Sequence, residues 1–348
     1  IDDTHVYWNL NTEYEIFSLE GSRGRQGELV QGAIMFLGHQ KPFTQTCPPI
    51  GPIAAEARRQ GAIIDWDKHN WPWSAMLVPV AGIETIELSN NHMWRLTPFV
   101  FSRFGEPAPD WMNRSFDNRG WAEFGFQTYY ALLNSGFFIR AGAGTANGVH
   151  PVPLGFSRVY VKIDGPFSYQ KWLEGLKKGR SFTTNGPMLF LTVDHMLPGD
   201  RKKIPAGQNT KVRINLKAQS VNHLENIEII VNGRVVHTFD CSKTENRTHC
   251  AYNHTIDIKG TSWIAARCFE IPPKDNVRFA HTGPVFFDDP TQSLLPERRQ
   301  IEFFLDSVHR AIERYGDKLS PAARAEYQKA LQAYRAAAKT GINSQAKP

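Results

Sequence analysis

The sequence predicts a mixed α/β protein in three parts: an α/β sheet or barrel over residues 1–186, an antiparallel β-sandwich over 187–289 and a helical tail over 290–348. Three observations predict it. Up to about residue 185, short apolar strands alternate with helices, the pattern of a mainly parallel sheet or a barrel. Around Pro187 the apolar period drops to two, with turn residues between segments, as in a sandwich of roughly 100 residues. From Pro296 onward, apolar residues recur at three- and four-residue steps, the stripe of an amphipathic helix.

In the first part, HVYWNL, YEIFSL and GAIMFLG read as strands. PIAAEARRQG reads as a helix, with Pro52 in its first turn and Gly61 at its end, positions that suit a fixed φ and a left-handed stop. The strands GAIID and ETIEL follow, then the helix WAEFGFQTYYALLNSG, the strands FFIRAGAG and RVYVKI, and the helix YQKWLEGLKKG. In the second part LFLTVD, KVRINLKAQ, NIEIIVNG, RVVHTFD, YNHTIDI and SWIAARCFE alternate, and the segment ending at Asp289 completes the set. In the tail, Ile301, Phe304, Leu305, Val308 and Ile312 form one apolar face. Ser320-Pro321 then opens a second helix, with serine as its cap and proline at its first position.

The chain has 348 residues, 41% apolar and 21% charged, with a net charge of +6. No apolar run approaches the ~18 residues of a membrane span. The basic excess is scattered and does not alternate with aromatics, so a nucleic-acid groove is not expected. The chain opens at Ile1 without a methionine, which leaves a removed export signal open. Of the four cysteines none forms a CxxC pair, so a zinc ribbon is not expected. Cys241 and Cys250 flank the polar segment SKTENRTH. They are placed to close a hairpin in an exported protein, or to remain two thiols. No GxSxG elbow, P-loop or GxGxxG fingerprint occurs.

Four histidines stand at strand ends: His39, His69, His92 and His150. One such residue is ordinarily structural, but the strand ends of one barrel converge on one rim, and imidazoles with a carboxylate suit zinc or a similar divalent ion. Glu13 and Glu15 alternate onto one face of their strand, and Glu87 is a weaker alternative carboxylate. His5 is a further weak candidate. Asp65, Asp67 and Lys68 neighbour His69 and are able to orient a histidine or meet a substrate; an ordinary solvated loop is the competing reading. Trp66, Trp71, Trp73 and Trp94 surround His69 and His92 in sequence, either walling a pocket or filling the core.

Residues 127–189 include YYALLNSGF, AGAGT, RVYV and W-x-x-x-L-x-x-G-R-S-F-x-T-N-G-P. Through these segments the chain resembles the CehA/McbA-type metallohydrolases of the PHP superfamily, over about residues 10–290. The resemblance implies a PHP-like distorted barrel followed by a β-sandwich. It also implies a metal site, with Glu13 as the glutamate, Gly38-His39 as the Gly-His and His69 as the later histidine. The chain departs from the family twice. Ala146 stands where the family has the Asp of AGTD, and Tyr7 stands where it has the second residue of an early histidine pair.

The expectation is therefore a divalent-metal-dependent hydrolase, zinc by ligand chemistry, in which metal-bound water attacks a small-molecule ester, carbamate or phosphoester. Glu13, His39 and His69 are the favoured ligands, with His150 and His92 next, and Asp65 or Asp67 as general base or ligand-orienting group. The alternatives are a non-catalytic ligand- or carbohydrate-binding protein on a decayed hydrolase barrel, and a structural surface module in the sandwich and tail.

Overall fold

The structure is a computed structural model that describes residues 2–8, 11–17, 30–45, 47–94, 108–113, 117–145, 152–271 and 276–342, with side chains from residue 32 onward. The first sheet has six strands in chain order: β1 (Asp2–Trp8), β2 (Asn11–Phe17), β3 (Val30–Leu37), β4 (Ile63–Trp66), β5 (Thr85–Ser89) and β6 (Arg140–Ala143). Helices α1 (Gly51–Arg59), α2 (Ser74–Leu77) and α3 (Asn118–Asn134) lie between its later strands. Asp117 starts α3 by accepting the Gly120 N–H at 2.7 Å, a side-chain cap for one otherwise unpaired helix donor.

The expected barrel is replaced, among the described residues, by an open sheet with β1 and β6 at its edges. The reason lies in strand direction. From β1 to β4 each strand is antiparallel to its neighbour, and only the pairs β4–β5 and β5–β6 are parallel. A PHP-like ring of mainly parallel strands would need the earlier strands to run with the later ones, and alternation of strand and helix in the sequence does not reveal direction.

The sandwich is present as two sheets. The larger joins β7 (Arg158–Val161), β8 (Ser181–Thr184), β10 (Arg201–Lys203), β12 (Leu224–Val231), β13 (Arg234–Asp240), β15 (Ser262–Glu270), β16 (Phe279–Thr282) and β17 (Val285–Asp288). The smaller pairs β9 (Met188–Val193), β11 (Asn209–Gln219) and β14 (His249–Lys259). Helix α4 (Tyr169–Lys177) separates β7 from β8, and both strands, although earlier than residue 187, pair into the larger sheet through β16. Period-two burial holds along β11, where Val212, Ile214, Leu216 and Ala218 point inward. It is lost in β15, buried along its whole length, because β15 is paired on both sides and covered on both faces.

The tail is helical as expected: α5 (Arg298–Tyr315) and α6 (Pro321–Thr340). It is part of the main core rather than an appendage. Phe303, Phe304, Val308, Tyr327, Leu331 and Tyr334 share one apolar cluster with Trp66 and Trp73 of the first part and Trp263 of the sandwich. Glu326 reaches back to accept the Ile50 and Gly51 N–H groups at 3.0 and 2.6 Å. Those donors open α1, which has no side-chain cap of its own.

Candidate functional site

Parallel strands β4, β5 and β6 put their C-terminal ends side by side, and in open α/β sheets that edge is where chemistry gathers. Alternation sorts the two faces. Ile64, Trp66, Ile86, Leu88 and Ala141 enter the apolar core. Asp65, Asp67, Thr85, Glu87 and Ser89 occupy alternate positions of the same strands and their ends, and all five are buried. Asp65 pairs in register with Thr85, and the Thr85 hydroxyl donates to the Asp65 carboxylate. Lys68 is paired with Asp67, and Trp71 Nε1 donates to Asp67 at 3.3 Å.

A glycine makes room for one of these groups. A Cβ on Gly144, just past β6, would sit 1.8 Å from Glu87 Oε1, so the missing side chain leaves the space that the Glu87 carboxyl occupies. Beyond Glu87, Ser89 and Ser157 share a hydrogen bond of 2.7 Å, and Thr145 bonds both backbone groups of Ser157 at 3.0 Å. These contacts join β5 to the segments after β6 and before β7. Asn90 Nδ2 donates to the Glu87 carbonyl at 3.1 Å, and its Oδ1 accepts the His92 N–H at 3.0 Å.

Three carboxyls and one ammonium in a buried volume cannot all be charged cheaply. Burial pushes Asp65 up to about 6, opposed by the Thr85 hydrogen bond and reinforced by Asp67. Glu87 is raised well above the ordinary carboxylate range, first by burial, then by the charges of Asp67 and Asp65. Asp65 is thus pushed up to about 6, and Glu87 beside it is held above the ordinary carboxylate range. Neighbouring carboxyls with raised proton affinity are groups that acid–base catalysis uses.

The remaining expected residues are distributed as follows. His69 is buried between Trp121 and Phe124, with ring centroids 4.5 and 4.7 Å away. Burial and Lys68 lower it to about 3, so its imidazole is neutral. Its Nε2 has no hydrogen-bond partner among the described residues, and His69 lines, with Thr128, a cavity of about 10 Å³, far too small for a substrate. His92 lies on Trp121 as well, at 5.5 Å, so the structure brings His69 and His92 to one ring. His39 is not brought there. It follows β3, which is antiparallel to β4, so it lies at the opposite edge of the sheet; its Nδ1 is 3.1 Å from the Lys41 carbonyl and its ring rests on Phe43 at 4.8 Å. Glu13 pairs through its backbone with Met35, which in turn pairs with Asp65. His150 and Ala146 lie outside the described residues. Trp66 and Trp73 are core residues.

The metal expectation can be tested against these positions. Among the described residues, no group of three or more His, Cys, Asp and Glu is arranged to hold a metal ion. His39 and His69 are at opposite sheet edges, and the rings around His69 are aromatic. Among the described residues, His39 is therefore not brought together with His69 and His92. Glu87, a secondary candidate in the sequence, is central here; Thr85 carries no signal of its own, and Gly144 reads only as part of a glycine-rich strand end. The signal was present in ETIEL: alternation puts Thr85 and Glu87 on one face, beside a strand carrying Asp65.

No family model matches the chain, and no curated protein is similar enough to match it. Among solved structures, the CARDB domain of the PF1109 protein from Pyrococcus furiosus, in complex with di-metal ions, is 13% identical over 29% of this chain and 94% of that one, with a TM-score of 0.19. The solution structure of the same CARDB domain is 12% identical over the same shares, with a TM-score of 0.18. A Jonesia denitrificans lytic polysaccharide monooxygenase is 16% identical over 46% of this chain and 93% of that one, with a TM-score of 0.19. At these values none of the three bears on the fold or chemistry of this chain.

Proposed function

We propose that the protein is a hydrolase of a small-molecule ester, carbamate or phosphoester, with Asp65 and Glu87 as its acid–base pair. The observation that carries this reading is the buried pair itself: Asp65 and Glu87 side by side at the C-terminal edge of parallel strands, the first pushed up to about 6 and the second raised above the ordinary carboxylate range. Asp65 would take a proton from the attacking water. Glu87 would give its proton to the leaving oxygen. Lys68, held by Asp67, would offset negative charge as it develops on the reacting centre.

The resemblance adds a divalent ion, zinc by ligand type, which would supply a water of lowered pKa. Because His39 lies apart from His69 and His92, no step above depends on it. The second reading, a non-catalytic binding protein on the same scaffold, is favoured by Ala146, which stands where the resembled family has a carboxylate.

The test is a panel of chromogenic esters, carbamates and phosphoesters, assayed with the wild type, Asp65→Asn and Glu87→Gln. Loss of a positioned acid or base is expected to lower kcat by about 10²–10⁴ while the melting transition persists. Equal rates in all three proteins would discard Asp65 and Glu87 as the acid–base pair, and no turnover in any would favour the binding reading.

A further inference from the structure

One edge of the sandwich carries a ladder of facing side chains that the proposed chemistry does not use. β13 is an edge strand of the larger sheet, paired with β12, and β14 is an edge strand of the smaller, paired with β11. Across the gap His237 stacks on His254, centroids 4.1 Å apart and planes at 27°. Phe239 stacks on Tyr252 at 4.2 Å and 18°. Each rung moves two residues forward on β13 and two back on β14. Two positions further on, Cys241 opens the 3-10 turn just past β13, and its thiol neighbours that of Cys250.

Further contacts agree with this placement. Both cysteines are buried in the sandwich core. Thr244 touches both: its hydroxyl donates to the Cys241 carbonyl at 2.8 Å and lies 3.8 Å from Cys250 Sγ. Burial and the neighbouring Cys250 thiol also raise the Cys241 thiol far above its ordinary range. In the folded state it is a poor nucleophile, so exchange belongs to folding, while the segment 242–249 is still open.

We infer that Cys241 and Cys250 form a disulfide that joins the two sheets of the sandwich when the chain folds in the presence of a small-molecule disulfide such as oxidised glutathione. One cysteine thiolate attacks the glutathione disulfide, forming a mixed disulfide and releasing one glutathione. The second cysteine thiolate attacks the protein sulfur of that mixed disulfide and releases the other glutathione. Two protein S–H groups are oxidised to one S–S bond, and one oxidised glutathione is reduced to two thiols. Cys268 lies in the same core and is the competing partner; Cys47 lies in the other core.

The whole chain would be refolded in a glutathione redox mixture, alkylated without reduction and digested with trypsin. Cleavage at Lys243 and Arg247 separates the two cysteines in the chain, so only a disulfide keeps peptide 235–243 with peptide 248–259. The expected result is that linked pair, cleaved by reductant, with Cys268 alkylated. Alkylated Cys241 and Cys250, or a link from either to Cys268, would overturn the inference. A second measurement does not rely on mapping. The oxidised wild type should melt roughly 5 °C above its reduced form, and the doubly substituted C241S/C250S protein should show no such difference; an equal difference in that protein would also overturn it.

Discussion

Asp65 is a residue whose charge the fold opposes. Its folded value of about 6 exceeds the ordinary 3.8, so the folded chain holds this proton more tightly than the unfolded one. The contribution is most favourable below about pH 4 and is lost as pH rises through 6. Asp65→Asn removes the buried charge and keeps an oxygen to accept from Thr85. It should raise stability at pH 7.5 by up to about 3 kcal/mol and change little at pH 4, which paired thermal melts would show. Stabilisation bought at the expense of activity is what a catalytic carboxyl predicts; a destabilised variant at pH 7.5 would indicate a structural role. Asp65 and Asp67 were legible in the sequence as charged neighbours of a strand-end histidine. Their partnership with Thr85 and Glu87 was not, because it depends on which strand lies next to β4. His39 was misplaced for a related reason: a strand end is recognisable in sequence, but the edge to which it points is not.

At the scale of elements, periodicity was informative and pairing was not. Each strand and helix named in the sequence has a counterpart among the described residues, although FFIRAGAG contributes only Arg140–Ala143. The short strands β8, β10 and β16 carry too few residues to show a period, and their place in the larger sheet rests on partners far away in the chain. The glycine-rich end of FFIRAGAG stands close to His150 in the sequence, whereas the structure gives Gly144 another task, leaving space for the Glu87 carboxyl. Gly144→Ala should therefore push the Glu87 carboxyl aside, lowering activity more than stability; a melt together with the hydrolysis assay separates the two. A different junction ties α3 to the sandwich. His281 is buried and neutral, its pKa lowered to about 3. Its Nδ1 donates to the Thr282 carbonyl and its Nε2 accepts from the Tyr130 hydroxyl, both at 2.7 Å. Tyr130→Phe leaves that Nε2 buried without a donor and should cost about 1–3 kcal/mol by denaturant titration.

Across the whole molecule, the tail closes the core that the first sheet leaves open. Its apolar stripes were readable from their spacing, but the surface they cover was not, since nothing local in Tyr334 announces a bond of 2.7 Å to the Ala75 carbonyl. Glu326 is the clearest case, capping a helix 275 residues earlier in the chain. Glu326→Ala should expose the loss as two unpaired N–H groups at the start of α1, about 2 kcal/mol in a melt; an unchanged melting curve would mean that the tail packs without that cap. Removing the tail after Leu295 should unfold the first sheet as well, visible as rapid proteolysis of residues 30–145. The account as a whole turns on whether the buried carboxyls do chemistry, and the most direct measurement is kcat/KM against pH for the best panel substrate. The wild type should lose activity as pH falls below about 6, where Asp65 becomes protonated, and Asp65→Asn should be at least about 10²-fold slower with that limb gone. A variant with the same plateau and the same acid limb as the wild type would contradict it.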